Sequence, residues 1–286
     1  MNKILNLSTS ELSSLIKEKK ITSEELVCET LSHIKTNDKK INSIITLLED
    51  SSIQKAKDFD EKNYKNEINQ TFLSGIPIIL KDNISTKNIR TTAGSKILEN
   101  YIPPYDAFVT RKIKENGGII IGKANLDEFA MGSSNETSFF GSVKNPWDTT
   151  RVPGGSSGGP AAAVASSFTS CSLGSDTGGS IRQPASLCGV TGMKPTYGTV
   201  SRYGLIAFAS SLDQIGPFAK SAKDCGEILN IISGKDSNDS TSFEKKFDSF
   251  NSLINQDIKG KKIGVPKEYI QNAEPEIVDV LMKSIN

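Results

Sequence analysis

Two glycine–serine segments and one lysine stand out in this 286-residue chain as groups that could do chemistry together. The first segment is Gly154-Gly155-Ser156-Ser157-Gly158-Gly159, and the second is Gly174-Ser175-Asp176-Thr177-Gly178-Gly179-Ser180-Ile181-Arg182. The lysine is Lys81, which ends the apolar run Ile76-Pro77-Ile78-Ile79-Leu80. Amide hydrolysis needs an activated hydroxyl, a base for its proton, and donors aimed at the developing oxyanion. Ser180 follows Gly178 and Gly179, whose backbone N–H groups can approach a substrate closely and form an anion-binding nest. Ser156 also follows a glycine pair and could relay a proton between Lys81 and Ser180.

The base in such a set would have to be the lysine. His33 is the single histidine, and it lies in a helical pattern near Lys35, Lys39 and Lys40, far in sequence from either serine segment. It reads as a surface residue, and a histidine-based metal site is improbable with only one. A lysine acts as a base only when neutral, and with a reference pKa of about 10.4 only about one in 2,500 is neutral at pH 7 in water. Burial disfavours the ammonium form. A shift of roughly three units, worth about 4 kcal/mol, would make Lys81 usable. Asp82 would oppose that shift if its carboxylate pointed toward Lys81.

Each signal has a plainer reading. A glycine-rich loop ahead of a helix can bind phosphate, although 154–159 lacks the lysine of GxxxxGK[ST] and has no GxGxxG. A lone lysine is often a solvated strand end, and a single Gly-Gly-Ser is often a turn. The hydrolase reading rests on the three together.

The elements that must position these groups can be read from pattern. Ser8-x-x-Glu11 and Thr22-x-x-Glu25 are capping boxes opening two helices within 8–36, with Val27, Leu31 and Ile34 at helical spacing. A third, polar helical stretch covers 49–64. The short apolar runs at 76–80 and 118–122 suit buried strands, with a helix over 107–116 between them. Ala161–Ala165 reads as a helical core and 171–174 as a strand, so small residues in 131–192 signal close backbone approach. A polar loop follows at 234–247, then a strand over Lys262–Val265. Pro275 can start a helix with Ile277, Val280, Leu281 and Ile285 as its apolar stripe. This alternation predicts an α/β fold with a mixed β-sheet covered by helices on both faces. One domain is expected over 1–286: a helical segment (1–70), a catalytic core (71–233), and a closing loop, strand and unfinished helix (234–286). The stop at Asn286 inside a helical pattern reads as a domain incomplete at its C-terminus.

Bulk properties agree with a soluble enzyme. Basic and acidic residues number 34 and 33, a net charge of +1, so no global field points at nucleic acid or an anionic membrane. No apolar run approaches the roughly 20 residues of a membrane span, and no signal-peptide pattern opens the chain, which suits a cytoplasmic protein. Cys28, Cys171, Cys188 and Cys225 are widely spaced and read as reduced, mostly buried residues.

The run from Pro153 to Pro195, including Gly189-Val190-Thr191-Gly192-Met193-Lys194-Pro195, resembles the amidase-signature family. The resemblance implies a Ser–Ser–Lys triad, with Ser180 forming the acyl intermediate, Ser156 bridging and Lys81 as base. It implies oxyanion-hole amides at Thr177, Gly178 and Gly179, substrate contacts at Met131, Gly132 and Ser133, and a bracing role for Asp176 and Arg182. It also implies a cis peptide between Gly155 and Ser156, which would bring the Ser156 hydroxyl within about 2.6–3.2 Å of both Lys81 and Ser180. Pro160 stands where a serine is common and could serve as a first helical residue.

Asn125–Gly132, Ser134–Thr137, Lys144–Trp147 and Ser201–Pro217 are similar to the glutaminase-subunit (A subunit) family of glutamyl-tRNA(Gln) amidotransferases, and the likeness runs from Leu5 onward. That implies a glutaminase that supplies ammonia to the B and C subunits of a heterotrimer. The partner would convert Glu-tRNA(Gln) to Gln-tRNA(Gln) with ATP and Mg2+, in the cytoplasm or in an organellar matrix or stroma. No metal or cofactor is expected in this chain. The residues gripping the glutamine α-carboxylate and α-amine would lie beyond 286, so poor activity is expected of this length alone. A free-standing amidase on small amides and a non-catalytic interaction module remain alternative readings.

Overall fold

The computed structural model describes residues 3–244 and 249–285. The chain falls into two compact units, divided between Ser252 and Leu253. The expected boundary at 233/234 therefore lies too early. Residues 234–244 are tied to the first unit by Ser201 Oγ donating to Asp236 and by the Phe243 amide donating to the Gly198 carbonyl. Positions 245–247 of the expected polar loop lie outside the described residues.

The N-terminal helices form as their caps require. Helix α1 (Thr9–Lys17) and helix α2 (Ser23–Ile41) each open on a complete capping box, from Ser8 with Glu11 and from Thr22 with Glu25. Strand β1 (Ile44–Leu47) follows, then helix α3 (Glu49–Tyr64). The segment expected to be purely helical thus contributes an edge strand. Next come β2 (Pro77–Lys81), α4 (Phe108–Glu115), β3 (Ile119–Ala124), α5 (Gly158–Ala165), β4 (Cys171–Asp176) and α6 (Arg182–Cys188). The unit closes with β5 (Thr191–Gly192), β6 (Gln214–Ala219) and α7 (Ala222–Ile232).

The six strands form one mixed sheet in the order β1-β3-β2-β4-β6-β5. Strand β2 is central and parallel to both β3 and β4, while β1, β5 and β6 pair antiparallel. Every residue of β2, β3, β4 and β6 is buried, as expected for strands covered on both faces. One face carries Ile78, Leu80, Ile120, Leu173 and Ile215, packed with residues of α1, α4 and α7. The other carries Ile79, Ile121 and Phe218, packed with Val27 and Leu31 of α2 and Ala161–Val164 of α5. Alternation along β2 therefore sends Lys81 to the α5 face and Asp82 to the opposite one.

The second unit contains α8 (Lys267–Ile270) and α9 (Pro275–Ile285). Ile277, Val280, Leu281 and Ile285 are all exposed on α9. The strand expected over Lys262–Val265 is not formed. Ile263 is 80% exposed, and no strand pairs with this segment among the described residues. An isolated extended segment without a ladder partner has nothing to satisfy its backbone and gains nothing over coil.

Candidate active site

The central strand delivers Lys81 to a point that water does not reach, and its side chain is fully buried. Its Nζ lies 2.7 Å from Ser156 Oγ, 2.9 Å from Ser157 Oγ and 3.0 Å from Ser175 Oγ, with the Ser175 carbonyl oxygen at 3.5 Å. Burial pulls this amine down to about 7, against the opposing influence of Asp127, then Asp176 and Asp213. Asp82 is not among those carboxylates. On the far face of the sheet it meets Lys123, 3.4 Å away, and accepts from the Thr92 amide at 2.8 Å.

Hydrogen counting constrains the roles around Nζ. The Ser157 hydroxyl donates to the Ser175 carbonyl at 3.0 Å, so its oxygen can only accept from the lysine. Asn83 Nδ2 donates to Ser175 Oγ at 3.0 Å and holds that side chain in place. A neutral amine has two hydrogens and one lone pair. Ser157 takes one of these hydrogens, and Ser156 and Ser175 share the other hydrogen and the lone pair, with Ser156 Oγ the nearest oxygen.

Ser156 sits in a turn ahead of α5, after a cis peptide from Gly155, at the position the family resemblance implied. Glycine is required at 155. A Cβ there would lie 2.2 Å from Asp127 Oδ2 and 2.8 Å from the Ser134 amide nitrogen. The turn is stitched on both sides: the Asp127 amide donates to the Ser156 carbonyl at 3.3 Å, and the Ser157 amide to the Ser180 carbonyl at 3.2 Å. Pro160 is the third residue of α5, two places later than expected. No intrahelical acceptor exists for an N–H in that first turn, so its missing donor costs nothing there.

Ser180 follows β4 and precedes α6. Asp176 organises the loop between them: its carboxylate accepts from the amides of Gly179 (2.8 Å), Ile181 (3.0 Å) and Arg182 (3.3 Å), and pairs with the Arg182 guanidinium at 3.0 Å. This matches the bracing expected of Asp176 and Arg182. It also removes Gly179 from the expected oxyanion donors, because its N–H is already committed. Among the described residues, no internal acceptor is found for the amides of Thr177, Gly178 and Ser180. A Cβ at Gly178 or Gly179 would meet nothing within 4 Å, so both glycines face open space. The expected bond between Ser156 and Ser180 is not made: the Ser180 hydroxyl has no hydrogen-bond partner among the described residues.

Met131, Gly132 and Ser133 are exposed, on a loop that follows the short helical turn Glu128–Ala130. Sequence reasoning did not single out Ser157, Ser175 or Asn83 as neighbours of Lys81. Ser157 carried a signal, standing beside Ser156 in the same motif. Asn83 and Ser175 carried none, since only the pairing of β2 with β4 joins them. Asp213 was also missed; it accepts from Thr177 Oγ1 at 2.5 Å and steadies the start of the Ser180 loop.

The rejected chemistries stay apart from this site. His33 is half-buried, not a free surface residue. Its Nε2 bonds the Ser166 carbonyl at 3.0 Å and its ring meets Phe168 edge-on. The thiols of Cys171, Cys188 and Cys225 are pushed up to about 12 by burial, which makes them poor nucleophiles. Among the described residues no cluster of His, Cys, Asp and Glu could hold a metal ion, and no helix is long and apolar enough to cross a membrane.

A mixed sheet that presents a buried lysine to glycine-flanked serines is the architecture of serine amidohydrolases of the amidase-signature type. The Amidase family model matches residues 25–286, and the chain belongs to that family. The A subunit of glutamyl-tRNA(Gln) amidotransferase from Thermoanaerobacter pseudethanolicus is 55% identical over 283 residues, covering 99% of this chain and 58% of the relative. Its counterpart in Carboxydothermus hydrogenoformans is 55% identical over 263 residues, covering 92% and 54%. The crystal structure of the corresponding Thermotoga maritima protein superposes with a TM-score of 0.75 at 48% identity, covering 86% of this chain and 50% of that one. The peptide amidase of Stenotrophomonas maltophilia gives 0.78 at 33% identity, covering 82% and 49%. The chain thus spans little more than half the length of the curated relatives it matches.

Proposed function

We propose that this chain is the catalytic portion of the glutaminase (A) subunit of a tRNA-dependent amidotransferase, hydrolysing glutamine to glutamate and ammonia. The observation that carries the reading is the buried Lys81 amine, brought to about 7 and set 2.7 Å from the Ser156 hydroxyl. Identities of 48–55% to amidotransferase relatives, against 33% to the peptide amidase, favour this substrate over small free amides.

The geometry supports the following chemistry. Neutral Lys81 takes the Ser156 proton while Ser156 Oγ takes that of Ser180. Ser180 Oγ then attacks the amide carbon. The Ser156–Ser180 link must close for this step; catalytic hydrogen bonds often tighten only in the substrate complex. The oxyanion forms toward the amides of Thr177 and Gly178. Its collapse breaks the C–N bond, the leaving nitrogen recovers the proton from Lys81 through Ser156, and ammonia departs. Water then attacks the Ser180 ester, giving its proton to the same relay; the acyl C–Oγ bond breaks, Ser180 Oγ recovers that proton through Ser156, and the acid is released. Exposed Met131, Gly132 and Ser133 would contact substrate at the mouth.

Ammonia would pass to the B subunit of a heterotrimer completed by the C subunit, for the ligase step that amidates Glu-tRNA(Gln). ATP and Mg2+ belong to that partner reaction, and no step on this chain uses them. A cytoplasmic setting suits this role in protein biosynthesis. The test is glutamine hydrolysis by the full-length protein with its B and C subunits and charged tRNA. Ammonia release that depends on Lys81, Ser156 and Ser180 supports the reading. Indifference to glutamine with ready cleavage of small amides would favour a free-standing amidase.

A further inference from the structure

The carboxylate of Asp127 lies between two parts of the site that are distant in sequence. Its side chain is fully buried. It accepts from the amides of Asn135 (2.9 Å), Glu136 (3.1 Å) and Thr137 (3.3 Å) and from Thr137 Oγ1 (3.0 Å). Its own amide donates to the Ser156 carbonyl at 3.3 Å. Two glycines from opposite sides close on it. A Cβ at Gly132 would come within 2.3 Å of its Cγ, and one at Gly155 within 2.2 Å of its Oδ2. No cation pairs with it among the described residues.

We propose that Asp127 is a positioning residue that clamps the 131–137 loop to the Gly154–Ser157 turn. The proposal rests on the reading of Lys81 as the base and adds a residue to that machinery. Three carboxylates act on Lys81: Asp127 most, then Asp176 and Asp213. Asp176 is neutralised by Arg182, whereas Asp213, like Asp127, is held only by hydroxyl and backbone donors, Thr177 Oγ1 and the Phe208 amide at 2.9 Å. Asp127 has only backbone and hydroxyl donors, which orient its charge without cancelling it. A nearby negative charge favours ammonium. Asp127 thus keeps the amine from falling further, poised where it can both take and return a proton. Its neighbour Gly155 fixes how closely the turn approaches that charge.

The test is an NMR titration of the lysine Cε–Hε signals of this chain, with Lys81 assigned by the signal lost in Lys81→Met. Asp127→Asn removes the charge at near-constant volume, and the Lys81 midpoint is expected to fall by about half a pH unit or more. A folded variant with an unmoved midpoint overturns the electrostatic role. Thr137→Val, at an exposed position, keeps the charge but removes one donor, worth about 1 kcal/mol. It carries the test of the clamp even if Asp127→Asn does not fold. Amide hydrogen exchange is expected to quicken about fivefold both at Asn135 and at Asp127, whose amide reports the contact with Ser156. Faster exchange at Asn135 alone would mean the loop and the turn are independent, and the clamp falls. A wild-type Lys81 that titrates near ordinary lysine would instead remove the base reading, and this proposal with it.

Discussion

Asp82 and Lys123 meet 3.4 Å apart, both fully buried, on the face of the sheet opposite Lys81, where burial raises the Asp82 carboxyl and lowers the Lys123 amine and each opposes the shift of the other. Lys123 Nζ also donates to the Ile84 carbonyl at 2.7 Å and to Thr91 Oγ1 at 2.8 Å. Lys81, the last residue of β2, and the residue that follows it therefore serve different ends. Lys81 has no direct ion pair among the described residues and can lose its proton. Asp82 spends its charge anchoring the segment that follows the strand.

Breaking that anchor should cost stability. Lys123→Met leaves Asp82 buried without its cation, and the chain is expected to lose about 3 kcal/mol. Chemical denaturation checks this. Asp82→Asn added to Lys123→Met should recover part of the loss, since no uncompensated charge then remains.

The pH dependence of hydrolysis should follow Lys81. The base form is the neutral amine, so the rate rises with pH through about 7 and is lost below it as the ammonium forms. Lys81→Arg should be inactive at every pH, because a guanidinium stays charged. A pH–rate profile of the full-length protein reads both, and a flat profile across neutrality would place the base elsewhere.

Two glycines should behave oppositely. Gly155→Ala drives a methyl group against Asp127 Oδ2 at 2.2 Å, and is expected to destabilise by about 2 kcal/mol and to abolish activity. Gly178→Ala points into open space, so stability should change by less than about 0.5 kcal/mol. Because that space adjoins Ser180, KM for the amide should rise. Thermal unfolding and steady-state kinetics of the pair separate packing from substrate access.

The sequence made the buried parallel core readable because Ile76–Leu80 and Ile119–Ile121 are apolar runs too short for helices, and the N-terminal helices because their caps are complete. Strand β1 was hidden: four half-buried residues between two helices, with no alternation to betray an edge. Strand β6 was hidden as well, since Gln214-Ile-Gly-Pro-Phe-Ala219 carries a glycine and a proline and gains its place only from pairing with β4. At the candidate site, Lys81 and Ser156, which the structure brings together, were singled out by residue type and glycine context, as was Ser180, whose hydroxyl stands apart from them. The cage of Ser157, Ser175 and Asn83 around the amine was not, because it depends on which strands become neighbours. The commitment of the Gly179 amide to Asp176 depends on loop conformation, which glycine content alone does not determine.

The relay from Lys81 through Ser156 to Ser180 is tested most directly by trapping the acyl intermediate of the full-length protein and mapping the adduct by peptide mass spectrometry. The adduct is expected on Ser180, present in the wild type, absent in Ser180→Ala and strongly reduced in Lys81→Met. An adduct on Ser157 or Cys188, or one that forms at the wild-type rate without Lys81, would contradict it.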